Sequence, residues 1–336
     1  MAKGILGLLA ALGFIVLPVA AQRTVIVGAG SSVPAPLYSA WGREYAKSNP
    51  SVQIRYLPLG TEEGIKEIAR GSGDFSAGEE PLSEKQRNDE SLAELPAALI
   101  GIVTVYNLPE IHHELRLSGD VLAEIYLGTI KNWNAPQIAK LNPGLNLPNL
   151  PIRVIQRPGG KGSNYVFTDF LSKTCAKFRS QIGVSLSPKW PVGESAERSS
   201  DVADKVKVEQ GAIGYVEYQY AVKGNIPTAA VLNSSGNFVK ASARSLTAAC
   251  ENVEAPGWHN LGVSLTNARG AESYPLTSFT WVYLRTKTDD PARSAAVKAL
   301  LSWIYADGQG VADDAGYTSL PSPLLVEVRK TLAGLR

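Results

Sequence analysis

Residues 152–172, IRVIQRPGGKGSNYVFTDFLS, set a guanidinium and an ammonium among glycines between two regular elements. Ile152, Val154 and Ile155 form a β-branched run suited to a buried strand. Pro158, Gly159, Gly160 and Gly162 then interrupt regular structure. From Ser163, which has the side chain of an N-cap, Tyr165, Val166, Phe167, Phe170 and Leu171 trace an apolar helical face. A strand, a glycine-rich turn and a helix start together suit an anion, because a helix's first turn carries unpaired N–H groups and a partial positive charge. Arg157 offers a planar fork of donors that fits a tetrahedral oxyanion, and Lys161 adds a second positive charge. The competing reading is a polar loop with both cations solvated.

Two other turns have the same character, Gly28 to Ser32 and Gly60-Thr61. The first follows a predicted strand, Thr24 to Val27, and leads through Pro34 and Pro36 into a helix with Leu37, Trp41 and Tyr45 on one face. The second follows a strand over Val52 to Leu57 and opens a helix carrying Ile65, Ile68 and Ala69, with Thr61 as its expected N-cap. Asp74 to Ala77 reads as a short strand, and Leu99 to Tyr106 as a buried one without charges. Further on, Ser118 caps a helix running through Val121, Leu122 and Ile125 to Gly128, and Asn142 to Pro151 is a turn-rich connector. Asp201 to Val208 is helical, Ala212 to Tyr218 and Leu276 to Leu284 are strands, and 291–306 and Pro321 to Leu335 are helices. Alternating strands and helices imply an α/β fold with largely parallel sheets, whose strand ends line a ligand crevice. Gly28-Ala29-Gly30 lacks the third glycine of a dinucleotide fingerprint, and Gly160-Lys161-Gly162-Ser163 lacks the Lys-Ser/Thr pair of a phosphate-binding P-loop.

The chain has 336 residues and a formal charge of only +2, with no basic run, which argues for two domains and against nucleic acid. Its three histidines, His112, His113 and His259, have no cysteine nearby, so a zinc site is not expected. Lys3, the apolar stretch Gly4 to Val19 and the small residues Val19-Ala20-Ala21 make a signal peptide over residues 1–21, cleaved near Ala21. An exported chain allows a disulfide between Cys175 and Cys250, but two free buried thiols fit the sequence equally.

Taken in order and spacing, several short motifs resemble the phosphate-binding receptors of bacterial phosphate ABC transporters. They are Gly28-Ala29-Gly30 with Pro34-Ala35-Pro36, Asp74-Phe75 with Pro81-Leu82-Ser83, and Tyr126-Leu127-Gly128 with Ile130-Lys131 and Trp133. Leu141 to Leu145, Arg157 with Gly162 and Val166-Phe167-Thr168, Gly211 to Tyr218, Tyr274 to Ser278 and Tyr317 to Pro321 complete the set. The resemblance implies a two-lobed, periplasmic-binding-protein-like fold (type II) with two crossing strands as the hinge. Lobe one would be residues 22–102 plus 274–336, and lobe two residues 103–273. It also implies that phosphate is held by Ser32, Val33, Thr61, Glu79, Arg157, Lys161, Gly162 and Ser163. Glu79 would select for phosphate, which still carries a proton, over sulfate, which carries none. The implied partners are inorganic phosphate and a membrane permease, for a periplasmic monomer with no cofactor, no catalysis and no nucleic acid.

The chain departs from that pattern in places. Glu79 stands where the family usually has Asp. Gly159 replaces an Asp that orients the arginine, which leaves Arg157 without its partner. Lys161 replaces a small hydroxyl residue, and Glu62 and Glu63 replace small residues beside Thr61. Either Lys161 pairs across the cleft with Glu62, Glu63 or Glu80, or the ligand has changed. Two further classes remain: a sensor or scaffold that keeps the fold, and a secreted phosphatase using Glu79, Glu80 and Lys161.

Overall fold

The computed structural model describes residues 23–252, 261–287 and 290–335. The signal-peptide segment and His259 lie outside the described residues. The first part of the chain runs β1 (Thr24–Gly30), α1 (Ala35–Ser48), β2 (Val52–Leu57), α2 (Thr61–Ala69), β3 (Phe75–Gly78), α3 (Glu84–Asn88) and β4 (Leu92–Tyr106). The middle holds β5 (Arg116–Leu117), α4 (Gly119–Tyr126), α5 (Pro136–Leu141), β6 (Arg153–Gln156), α6 (Gly162–Thr174), α7 (Ala176–Gln181), β7 (Glu194–Ser195), α8 (Ser199–Val208) and β8 (Ala212–Glu217). The rest is α9 (Tyr218–Gly224), β9 (Ala230–Leu232), β10 (Phe238–Val239), α10 (Ala243–Glu251), β11 (Thr277–Arg285), α11 (Pro291–Ala306), α12 (Gly308–Asp314) and α13 (Ser322–Gly334).

Eight strands form one sheet in the order β2-β1-β3-β11-β4-β8-β6-β7. The expectation of largely parallel pairing holds only at its two ends. There β1 runs parallel to β2 and β3, and β6 runs parallel to β7 and β8. The centre is antiparallel, because β11 pairs with β3 and β4, and β4 pairs with β8. β4 is the spine. Its residues 92–101 pair with β11, and residues 102–106 pair with β8. All but one of its residues are buried, which explains its uncharged run: a strand covered on both faces does not alternate. Pro96 has no N–H for a ladder, and the register there skips Ala97 between the pairs Thr280–Ala98 and Trp281–Pro96. The proline is accommodated by a β-bulge.

β1 extends through Gly28 and Gly30, beyond the Val27 end that the sequence predicts. Both glycines are paired with β3, and the Phe75 ring occupies the space a side chain at Gly28 needs. Leu37, Trp41 and Tyr45 are buried on α1 as their spacing requires, and Trp41 Nε1 donates to the Gly308 carbonyl (2.7 Å), tying α1 to α12. Cys175 and Cys250 are both free and buried, so no disulfide joins them. No helix among the described residues is long and apolar enough to cross a membrane.

Candidate functional site

The three glycine- and hydroxyl-rich turns meet. The Gly60 amide donates to the Gly30 carbonyl (2.8 Å), and the Ser31 amide to the Ala77 carbonyl (2.8 Å), which ties the β1 turn to the starts of α2 and β3's end. Gly60 has φ +108, and a Cβ on it would lie 2.9 Å from the Gly160 carbonyl oxygen. Gly162 comes closer still: a Cβ there would overlap Glu79 Oε2 and lie 2.8 Å from Thr61 Oγ1. The start of α6 therefore faces the start of α2 across a narrow gap, with Glu79 between them. Each helix presents first-turn amides that have no intrahelical acceptor.

Neither hydroxyl expected to cap these helices does so. Gly60 is the N-cap of α2 and Lys161 that of α6, and neither makes a side-chain cap bond. Thr61 is instead the first residue of its helix, and its Oγ1 donates to Glu79 Oε2 (3.2 Å). Ser163 is the second residue of its helix, and its Oγ accepts from Arg157 Nη1 (3.3 Å). Both hydroxyls are diverted toward the ionisable groups in the gap, where Thr61, Glu79, Arg157 and Ser163 are all buried. For Ser163 a hydrogen bond from the guanidinium outweighs a cap of ordinary strength, and Thr61 satisfies a carboxyl oxygen that would otherwise be buried unpaired.

Arg157 does have partners, contrary to the expectation from Gly159. Its Nη1 donates to Ser199 Oγ as well as to Ser163, and its Nη2 donates to the Glu197 carbonyl (2.9 Å). Its backbone N–H donates to Tyr215 Oη (3.2 Å), and that phenol in turn donates to Asn164 Oδ1. Arg157 Nε is buried without a partner among the described residues. Lys161 does not reach across the gap; its Nζ pairs with Glu197. One residue, Glu197, thus takes over from the missing Asp: its main chain holds one cation and its side chain the other. The acidic pair on α2 is also balanced locally. Glu62 pairs with Lys66 (2.7 Å), one turn on, and Glu63 with Arg70 (3.9 Å). The Lys66 hydrogen bond holds the Glu62 carboxyl below its usual range. Glu62 does bridge the gap, but through a hydroxyl: its Oε2 accepts from Ser187 Oγ (3.1 Å).

On the β1 turn the observed arrangement differs by one residue from the expected one. Ser31, rather than Ser32, is fully buried and closest to Glu79 in effect; Ser32 is half-buried. The Val33 amide, expected as a ligand donor, already donates to Ser31 Oγ (3.1 Å).

Burial pushes the Glu79 carboxyl up to about 8, the charge of Glu217 adds to that, and the hydroxyls of Ser31, Thr280 and Thr61 oppose it. Its Oε1 has no hydrogen-bond partner among the described residues. Burial likewise raises Glu80 to about 7, with Glu62 adding to it. The sign for stability follows from the proton count. Between 4.5, the unfolded value, and about 8, the folded protein holds a proton on Glu79 that the unfolded chain has released. Stability is therefore lost as pH rises through that window. We expect the melting temperature of the ligand-free protein to fall from mildly acid to mildly alkaline pH. Glu79→Gln should remove a slope worth on the order of a few kcal/mol. Equal slopes in the two proteins, measured by calorimetric melting, would show that Glu79 ionises freely.

Sequence reasoning marked the turn that holds Ser31 but chose Ser32 as its ligand, and it missed Ser187, Glu197, Ser199 and Glu217. The first three of these are hydroxyl or acidic residues in loops or at a helix start, with no pattern to mark them. Glu217 did carry a signal, as the one charged residue in the apolar strand Ala212–Glu217.

Residues 18–308 match the PBP superfamily domain. The phosphate-binding protein PstS of Haemophilus influenzae is 36% identical to this chain over 92% of each. Among solved structures, the phosphate-binding protein of Stenotrophomonas maltophilia superposes with a TM-score of 0.68 at 17% identity, over 92% of this chain and 94% of its own. The ABC-type phosphate transport receptor of Vibrio cholerae gives 0.62 at 16% identity, over 88% and 100%. The sheet with its antiparallel centre is thus the two-lobed fold of periplasmic binding proteins, and the chain belongs to the PBP superfamily and, within it, to the phosphate-binding protein family.

Proposed function

We propose that this protein captures inorganic phosphate in the gap between α2 and α6 and delivers it to the membrane permease of an ABC transporter. The observation that carries this reading is the constellation at the gap. One buried guanidinium, two helix starts and one buried carboxyl with a free oxygen converge there, the groups that would pair with a small protonated oxyanion. The ligand set on this reading is Ser32, Val33, Thr61, Glu79, Arg157, Lys161, Gly162 and Ser163. Ser31 joins it through Glu79, and Ser199 through Arg157. Lobe one is residues 22–102 and 274–336, and lobe two residues 103–273. The change of partner along β4 between residues 101 and 102 supports that boundary. The protein acts in the periplasm as a monomer after cleavage of residues 1–21. The names of its relatives describe binding and transport rather than catalysis.

Titration calorimetry of ligand-stripped protein tests the reading. Phosphate is expected to bind tightly and sulfate at least about 100-fold more weakly, since a site built to pair with a ligand's hydroxyl rejects an analogue without one. The discrimination should sharpen as pH rises through about 8, where Glu79 loses the proton it can offer sulfate. Equal affinity for both anions at alkaline pH, or none for phosphate, contradicts the proposal.

A further inference from the structure

Residues 185–187 lie outside the ligand set, yet they hold the turn that carries part of it. The Leu186 carbonyl accepts from the Gly160 amide (2.9 Å), the Lys161 amide (3.3 Å) and Asn164 Nδ2 (3.0 Å). The Ser185 amide donates to Thr168 Oγ1 of α6 (3.0 Å), and the Ser187 amide to Ser185 Oγ (2.9 Å). The Ser187 hydroxyl does more than complete this strap. Its oxygen shares the Gly160 amide with Leu186 (2.8 Å), and its single proton goes to Glu62 Oε2 (3.1 Å) in the first turn of α2. Glu62 is set to receive it, because Lys66 Nζ holds the other carboxylate oxygen (2.7 Å) and keeps the group ionised. Gly159 leaves the hydroxyl its place: a Cβ there would stand 2.7 Å from Ser187 Oγ.

Resting on the phosphate reading and its lobe division, we propose that Ser187 is a positioning residue that clasps the gap over a bound phosphate. Glu62 belongs to lobe one and Ser187 to lobe two, so the bond between them forms only while α2 and α6 stand together. The clasp stabilises the closed arrangement rather than the contacts to the anion. Phosphate enters before the bond forms and leaves only after it breaks, so the clasp sets how long phosphate stays and not how fast it arrives. The bond is charge-assisted but exposed to water, which keeps its effect modest. Removing the hydroxyl leaves the Gly160 amide its bond to the Leu186 carbonyl, so the turn itself survives the change.

The test is release of radiolabelled inorganic phosphate chased by excess unlabelled phosphate, with affinity measured by calorimetry. Ser187→Ala is expected to speed release about fivefold, with the association rate, the release rate divided by the dissociation constant, within about twofold of wild type. In a Glu62→Ala background the same substitution should change release by less than about 1.5-fold, because the partner is already gone. Comparison within one background also removes the effect of taking a negative charge away from an anion site. Release by Ser187→Ala at the wild-type rate overturns the inference. An undiminished effect in the Glu62→Ala background overturns it too, since Ser187 would then act on its own turn alone. Both of those outcomes leave phosphate binding in place. No phosphate binding by wild type overturns the function proposed above, and this inference with it. Should Ser187→Ala not fold, Ser187→Cys, which keeps the size and loses the strong donor, takes its place in both backgrounds with the same expected rates.

Discussion

Replacing Arg157 with lysine is expected to lower phosphate affinity by about 100-fold or more while leaving the protein folded. The charge survives the change, so a simple Coulomb account predicts a small effect. The geometry predicts a large one. Arg157 is buried and fixed at both terminal nitrogens by Ser163, Ser199 and the Glu197 carbonyl, with Nε left over. A planar fork held at three of its five N–H groups presents the other two, on Nε and Nη2, in set directions. Lysine has no second edge: its ammonium can follow the three oxygen acceptors or the ligand, not both. Calorimetry gives the affinity, and the melting curve shows whether the fold is intact. A loss below about fivefold would mean that Arg157 serves the α6–α8 junction rather than an anion.

The second large effect is expected at a residue with no functional group. Gly162→Ala should weaken phosphate binding by at least about 100-fold with little loss of ligand-free stability. The added Cβ overlaps Glu79 Oε2 and lies 2.8 Å from Thr61 Oγ1. Glu79 is completely buried. The expected escape from the clash is for the α2 and α6 sides to stand apart, an arrangement open to the ligand-free protein and closed to one that holds phosphate between them. Binding within about tenfold of wild type would show that α6 does not approach Glu79 this closely when the ligand is held.

These expectations rest on features that differ in how legible they were. Elements with long periodic patterns were readable. β2 spans Val52–Leu57 and α11 spans Pro291–Ala306, the ranges their alternation and helical spacing indicate. Ser118 caps α4 as read, its hydroxyl accepting from the Val121 amide (3.3 Å). Thr61 and Ser163 looked the same in sequence and behave differently. A buried carboxylate and a buried guanidinium lie within reach of them, and no local pattern reports a partner 18 residues away, as Glu79 is from Thr61. The two-residue strands β5, β7 and β10 are too short to show any period. Gly28 was read as loop because glycine is a weak strand former, yet pairing on both sides and the Phe75 ring fix it in β1. The sequence marks Arg157 as a cation at the turn, with a solvated alternative; the structure buries it, and its supporting contacts were not legible. Gly159 removed the expected partner, and the replacements lie about 40 residues on, at Glu197 and Ser199.

The sheet order also governs when the protein can become a protein. β11, residues 277–285, lies between β3 and β4 and pairs with both. The first hundred residues supply β1 to β4, yet their sheet keeps an open seam until a segment nearly two hundred positions later arrives to fill it. Contacts so distant along the chain carry a large loop-closure entropy and form slowly. An emerging polypeptide with this topology stays loose through most of its synthesis. If the chain is exported as proposed above and crosses the membrane before folding, that delay, set by the strand order itself, would keep the nascent form passable until its last quarter is made.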